Sequence, residues 1–341
     1  MSLKRRRRRT RIAFVVLLVL LLGFSALATK ALMPLRRGYG CMWRSYGAEP
    51  ENTLDVLYLG TSIAYADMIP AVVYRESGLT SFSLAGPVQT MTESYYYLRQ
   101  ALRTQHPSLI LLEVSGLLLD NIPSYDLTNI NYMPLGLNRL RCALETAELK
   151  DLYQYLFPLS VYHDRWKSVT WEQIKKNLGQ AEQDLKAGWT LLTETTPFDA
   201  YEPRLETWTD ESFQRGVEAL RRIVALCQAE NIQLVMCLSP RCGTLSAAAE
   251  ARLEALWASL DAPFVDFDTL REDIGIDDKR DFFDLTHLNV RGAEKYSRWL
   301  AAYFTENCGI QPAGRADAAY WNYRITTYDR LDKGGPREAE P

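Results

Sequence analysis

Asp55-Val56-Leu57-Tyr58-Leu59-Gly60-Thr61-Ser62 is a short apolar run that closes on three small residues. An apolar run without polar alternation suits a strand covered on both faces, as in a parallel sheet, and the Gly-Thr-Ser ending suits a turn beyond its carboxyl end. The same pattern returns at residues 82–85, 109–114, 232–238 and 264–267. Longer, charged, helically periodic stretches lie between these runs, at 90–104, 210–230, 245–260 and 290–305. Strand alternating with helix predicts a parallel sheet, because each crossover must carry the chain back over a helix before the next strand begins. The expected fold is therefore α/β, a three-layer body over residues 53–308.

Upstream of this body the sequence changes character. Residues 1–11 hold Lys4, Arg5, Arg6, Arg7, Arg8, Arg9 and Arg11 and no acid, although the 341-residue chain as a whole carries a formal charge of −3. Without those seven, 32 Lys and Arg face 42 Asp and Glu. A body that acidic repels polyphosphate, so no nucleic-acid partner is expected. Residues 12–29, IAFVVLLVLLLGFSALAT, contain no charge, and a helix needs roughly 17–25 apolar residues to cross the hydrocarbon layer. Residues 12–33 are read as a transmembrane anchor in the lipid bilayer. Basic residues are retained on the cytoplasmic side during insertion, which places residues 1–11 inside and everything beyond the anchor outside. The competing reading is a cleaved signal peptide, for which Ala26-Leu27-Ala28 has the required small-x-small form. Both readings export the body; a nuclear or nucleic-acid role for the arginines leaves the apolar segment without a purpose.

Residues 34–52 contain Pro34, Gly38, Gly40, Gly47 and Pro50 and read as an extended linker. Residues 117–210 lack clean strand signals and are rich in Tyr, Trp and Leu, with helical periodicity at 137–155 and 171–187. This predicts a mostly helical insertion after the third strand, serving either as a lid or substrate platform or as a plain packing extension. In the tail, 309–341, the aromatic part is expected to pack on the body and the last residues to fray. The six cysteines show no C-x-x-C pair. Cys237 and Cys242 are close enough in sequence for a short disulfide, but single cysteines in apolar runs more often serve as small buried hydrophobes.

A serine just past a strand's carboxyl end stands where ligands bind in open α/β sheets. A hydroxyl is a poor nucleophile unless a base accepts its proton and a third group holds that base. The chain has three histidines, His106, His163 and His287. His287 lies in Phe282-Phe283-Asp284-Leu285-Thr286-His287-Leu288-Asn289, just before a helical stretch, with Asp284 three residues earlier and within reach of its imidazole. Ser62, Asp284 and His287 form the candidate catalytic triad.

Gly60-Thr61-Ser62 after an early strand and Asp284-x-x-His287-Leu288-Asn289 near the end of the body resemble the first and last sequence blocks of the SGNH (GDSL-like) hydrolases, in that family's order. The resemblance covers about residues 53–306 apart from the insertion. It implies a flavodoxin-like sheet, a Ser-His-Asp mechanism without a cofactor, and an oxyanion hole formed by the N–H groups of Ser62 and of Gly86, in Ser83-Leu84-Ala85-Gly86. The bland alternative for Gly86 is a turn glycine. One departure stands out: the family's third block, Gly-x-Asn-Asp, is here Glu113-Val114-Ser115-Gly116, so Ser115 is the candidate replacement for the missing oxyanion asparagine. With the anchor, this departure is more similar to envelope acylation proteins of the alginate O-acetyltransferase type and to D-alanyl transfer proteins than to secreted lipases. That branch implies acyl transfer to or from a surface polysaccharide or teichoic-acid-like polymer, beside a membrane-bound O-acyltransferase.

Three further residues are candidate substrate contacts. His163 and Arg165 stand in Tyr162-His163-Asp164-Arg165-Trp166, which suits polar contact with substrate or is an ordinary helix start capped by Asp164. Arg241, after the fourth strand, faces either an anionic substrate or a loop carboxylate. His106 reads as solvated surface. Two other functions stay open: a non-catalytic glycan-binding or scaffold protein, favoured by the missing asparagine, and a simple esterase or deacetylase that uses water as acceptor. No metal is expected, since the chain lacks His-Glu-x-x-His and clustered His or Cys, and no phosphate-binding glycine motif argues for a nucleotide.

Overall fold

The computed structural model describes residues 3–35, 42–195, 206–260 and 262–331. They fall into two compact units, one made of residues up to 35 together with 147–180, the other of the remainder.

The larger unit is built on five parallel strands, β1 Val56–Gly60, β2 Ser81–Ala85, β3 Leu109–Glu113, β4 Gln233–Leu238 and β5 Phe264–Asp266, in the order β2-β1-β3-β4-β5. This is the flavodoxin-like order, whose direction of winding reverses between β1 and β3 and leaves a crevice at the strand ends there. Registers such as Val56 beside Ser81 and beside Leu109 keep those ends level. All residues of β1, β2 and β3 are buried, which is why β1 and residues 109–112 of β3 run apolar without alternation, whereas β2 buries the small polar Ser81 and Ser83 between its apolar residues.

Helices cover both faces. Val56, Tyr58, Leu109, Leu111, Val235 and Cys237 point into a core shared with helices Pro70–Ser77 and Val290–Glu306, through Val72, Tyr296, Leu300 and Phe304. Alternation along the strands turns Leu57, Leu59, Ile110 and Leu112 to the opposite face, where helices Met91–Ala101 and Asp210–Ala229 pack. Both of these helices start with a reciprocal capping box, Thr90 with Glu93 and Thr209 with Ser212, a device that satisfies N–H groups the helix itself leaves unpaired.

Two sequence expectations change. Residues 42–52 are not a free stalk: Trp43 and Tyr46 are buried, Trp43 edge-on to Tyr97 and Tyr46 edge-on to Phe82. Glu49 is buried as well and ion-paired with the fully buried Arg324 of the tail helix Ala318–Asp329. Glycine and proline spacing spoke for an irregular path but not for exposure. The predicted helix at 171–187 ends at Leu178. Beyond it Ala187 accepts from Ser83 N at the edge of β2, and Trp189 buries its ring, donating Nε1–H to Ala66 O at 2.8 Å. In the tail, Trp321 and Tyr328 pack on the body while Tyr323 is exposed; residues 332–341 lie outside the described residues. Cys237 and Cys242 are buried free thiols rather than a disulfide, and burial raises both, Cys242 to about 12. Cys41 lies outside the described residues.

The smaller unit is a helix, Leu3–Leu32, with the segment 147–180 packed on its carboxyl-terminal part. Arg9–Leu32 is long and apolar enough to cross a membrane, with mean hydropathy 2.7 in its most apolar window.

Candidate active site

β1 delivers the serine. Gly60 ends the strand at φ +147°, and a Cβ there would stand 2.7 Å from Glu113 Cβ and 2.9 Å from Glu113 O on β3, so both conformation and space require glycine. Thr61 caps the short helix Ser62–Asp67 by accepting from Ile63 N. Ser62 is then the first helical residue, and its N–H belongs to the first turn, where amides have no intrahelical acceptor.

The base comes from a loop closed on itself. Phe282 pairs antiparallel with Leu288, Phe283 N donates to His287 O at 2.9 Å, and Asn289 N donates to Asp281 O at 2.9 Å. Asn289 also caps helix Val290–Glu306 by accepting from Arg291 N and Gly292 N, which fixes where the loop ends. Outside the loop, Cys242 N donates to Leu285 O at 3.1 Å, tying it to the turn after β4.

Ser62, His287 and Asp284 meet. His287 Nε2 stands 2.8 Å from Ser62 Oγ, and His287 Nδ1 stands 2.9 and 2.8 Å from the two Asp284 oxygens. Asp284 Oδ1 accepts in addition from Thr286 N and His287 N, each at 2.8 Å. Burial pushes the Asp284 carboxyl up, but the hydrogen bond and charge of His287 with these N–H groups outweigh it, and its pKa falls to about 2. An ionised carboxylate only accepts, so Nδ1 carries the imidazole proton and Nε2 offers its lone pair to the serine hydroxyl.

Sequence alone did not single out the link between these elements. Asp67, the last residue of the helix that begins with Ser62, is fully buried and accepts from Leu288 N at 3.0 Å. One carboxylate thereby joins the nucleophile's helix to the residue next to His287. Its partner lies 221 positions away, a separation no local pattern reveals.

The oxyanion candidates separate. Gly86 N reaches Gly60 O only at a long 3.4 Å. A Cβ on Gly86 would stand 2.3 Å from Asn129 Oδ1, so Asn129 occupies the space a side chain would need. Asn129, from helix Pro123–Tyr132, donates Nδ2–H to Pro87 O and to Glu93 Oε2, both at 3.1 Å, and so braces the turn after Gly86. Ser115 has to be corrected as an oxyanion donor. Its hydroxyl donates to Glu113 Oε2 at 2.6 Å and its N–H to Glu113 Oε1 at 3.1 Å. Glu113 is fully buried and also takes the Thr61 hydroxyl at 3.0 Å; a carboxylate in that position needs these donors, which leaves Ser115 no proton to give.

Arg241 must be corrected too. Its guanidinium makes a two-pronged pair with Asp266 at 2.8 and 2.9 Å and is nearly buried, while its N–H donates to Asp268. The pair staples the turn after β4 to β5, so the arginine serves the loop and not a ligand. His163 and Arg165 belong to the smaller unit, where His163 Nδ1 contacts Ser160 O and Arg165 donates to Leu32 O. His106 is on the surface, its Nδ1 beside the carbonyl of Gln105.

Beneath the Gly86 turn lies a buried acidic pair. Burial, with the charge of Asp126, pushes the Glu93 carboxyl well up, and burial raises Asp126 to about 7.

No family model and no curated protein sequence matches the chain. Among solved structures, it is similar to a protein assigned to the G-D-S-L lipolytic family from Desulfitobacterium hafniense DCB-2, at 12% identity and TM-score 0.37 over 73% of this chain and 98% of that one. It is also similar to a protein assigned as an acylhydrolase from Bacteroides fragilis NCTC 9343, at 12% identity and TM-score 0.37 over 78% of this chain and 95% of that one.

Proposed function

We propose that the chain is a membrane-anchored serine acyl-ester enzyme of the SGNH type, working outside the cytoplasm on O-acyl groups of a surface glycopolymer. The observation that carries this is the hydrogen-bond chain from Ser62 Oγ through the His287 ring to Asp284, with 2.8 Å at the serine end.

His287 Nε2 takes the Ser62 proton as Oγ attacks the acyl carbonyl carbon, and Asp284 stabilises the imidazolium without itself becoming protonated. The carbonyl oxygen becomes an oxyanion that receives the N–H groups of Ser62 and Gly86. The imidazolium then gives its proton to the departing alkoxide, leaving acyl-Ser62. A hydroxyl of the acceptor, deprotonated by the same imidazole, attacks the ester and releases Ser62. Water as acceptor makes the enzyme an esterase, and a sugar or polyol hydroxyl makes it a transferase; the acyl-enzyme is common to both. An oxyanion donor is worth roughly 2.7–4 kcal/mol. Without the family's third-block asparagine the hole is weaker for water and for a sugar hydroxyl alike, so transfer depends on a bound, well-positioned acceptor; a membrane-bound O-acyltransferase is the proposed donor partner.

The test is labelling of the full chain in detergent with a fluorophosphonate probe. The expected result is one adduct on Ser62, absent in Ser62→Ala and strongly slowed in His287→Ala. Wild-type protein that takes no label at Ser62 refutes the enzyme and leaves the scaffold function. Free acid released equally fast from an acetyl ester with and without oligosaccharide contradicts transfer.

A further inference from the structure

We propose that residues 147–180 are an interfacial collar, seated in the headgroup and upper acyl region of the bilayer around the carboxyl-terminal end of the apolar helix. The proposal rests on that helix being a retained membrane span and is independent of the Ser62 chemistry.

The lengths require it. Residues 12–24 of the helix are exposed throughout, whereas Ser25, Ala28, Thr29 and residues 31–35 are half-buried beneath the packed segment. At 1.5 Å per residue the uncharged part of the wholly exposed stretch, residues 12–24, covers about 20 Å, while the hydrocarbon layer is about 30 Å thick. The missing third of the span has to come from the stretch that residues 147–180 wrap. A segment packed there is at the level of the lipid.

Its surface fits that position. Leu149, Tyr153, Phe157, Trp166 and Trp171 are all more than half exposed, the two tryptophans at 68% and 66%, in a unit of about seventy residues. In the helix Trp171–Leu178, steps of 100° put Trp171, Ile174, Lys175 and Leu178 on one face, with Lys175 Nζ 6.0 Å from the Trp171 ring centroid. An indole beside an ammonium matches the boundary between acyl chains and phosphate headgroups, where tryptophan is enriched and lysine reaches outward. The neighbouring face holds Asn177, which donates to Ala31 O at 2.7 Å and Met33 O at 2.8 Å, while Arg165 donates to Leu32 O at 2.5 Å. These carbonyls lie at the end of the helix, where the last turn leaves carbonyls without an intrahelical partner; in lipid an unpaired carbonyl costs several kcal/mol. Arg165 thus closes the anchor's end, and cleavage after Ala28 would remove much of the surface on which the collar is built.

The experiment is residue-resolved hydroxyl-radical footprinting of the full chain in nanodiscs of phosphatidylcholine with an anionic phospholipid. In parallel, tryptophan emission is read in nanodiscs of brominated lipid, and extraction of membranes with alkaline carbonate is measured. The expected result is carbonate resistance, oxidation of Trp166 and Trp171 on the order of tenfold slower than of Tyr323, which is 53% exposed in the larger unit, and bromolipid quenching that Trp166→Phe with Trp171→Phe diminishes. Oxidation of the two tryptophans at the Tyr323 rate in carbonate-resistant protein overturns the collar and leaves the anchor standing. Protection without bromolipid quenching also overturns it, since something other than lipid then covers them. Release by carbonate overturns anchor and collar together, whatever the labelling of Ser62.

Discussion

Replacing Asp67 by alanine tests whether the buried carboxylate holds the base in register with the nucleophile. The substitution removes the acceptor of Leu288 N at 3.0 Å, in a fully buried place, and leaves the Ser62 and His287 side chains themselves unaltered. A buried hydrogen bond contributes roughly 0.5–1.5 kcal/mol, and the stranded N–H adds about 1–3 kcal/mol of lost solvation. Part of this appears as a lower melting temperature. The rest appears at Ser62 Oγ and His287 Nε2, whose 2.8 Å separation depends on the loop that residue 288 fixes. A displacement of about 1 Å between reacting groups costs on the order of 10²-fold in rate. The expected outcome for Asp67→Ala is therefore a folded protein, a few degrees less stable, with fluorophosphonate labelling and kcat on an acetyl ester down about 10- to 100-fold and KM little changed. Asp67→Asn keeps an oxygen acceptor at the same place and is expected to recover most of the rate. Wild-type labelling by a folded Asp67→Ala protein would refute the coupling of the two elements through this residue.

Two other perturbations follow from the ground beneath Gly86. Asn129→Ala removes the donor to Pro87 O and Glu93 and is expected to slow labelling of Ser62 while leaving the Ser62–His287 contact intact, so that the pH at half-maximal rate stays put while the plateau falls; an unchanged plateau sinks the bracing role. For Asp126, a folded-state value of about 7 lies above its ordinary 3.8, so the folded protein keeps the proton that the unfolded chain gives up. Stability from this group is fully present below about pH 3.8 and is lost as pH rises toward 7, with a slope of up to about 1.4 kcal/mol per pH unit. Melting in detergent from pH 4 to 8 should show Asp126→Asn gaining on the wild type as pH rises, and parallel curves would contradict it.

Much of the fold was printed locally. Strands buried on both faces are largely apolar, so Val56–Gly60 and the run 109–112 are legible without any partner. The charged, periodic stretch ending at Ala229 likewise reads as a helix whose cap is in the sequence. Ser62, Asp284 and His287 were legible because nucleophile and base stand at strand and helix boundaries, where chemistry needs a fixed backbone beside open space. What the sequence by itself determined was therefore which segments are strands and helices, and which side chains have the right reactivity. Only the tertiary structure decided how polar groups are paired. Arg241 and Ser115 have the composition of ligand-binding residues, yet Asp266 and Glu113 claim them, because a charge or acceptor without water takes the nearest donor the fold provides. Asp67, Asn129 and the closure of the apolar helix by Arg165 and Asn177 were invisible for the same reason. Hydrogen bonds between residues tens or hundreds of positions apart leave no periodicity in the chain, and they exist only once packing has brought donor and acceptor together.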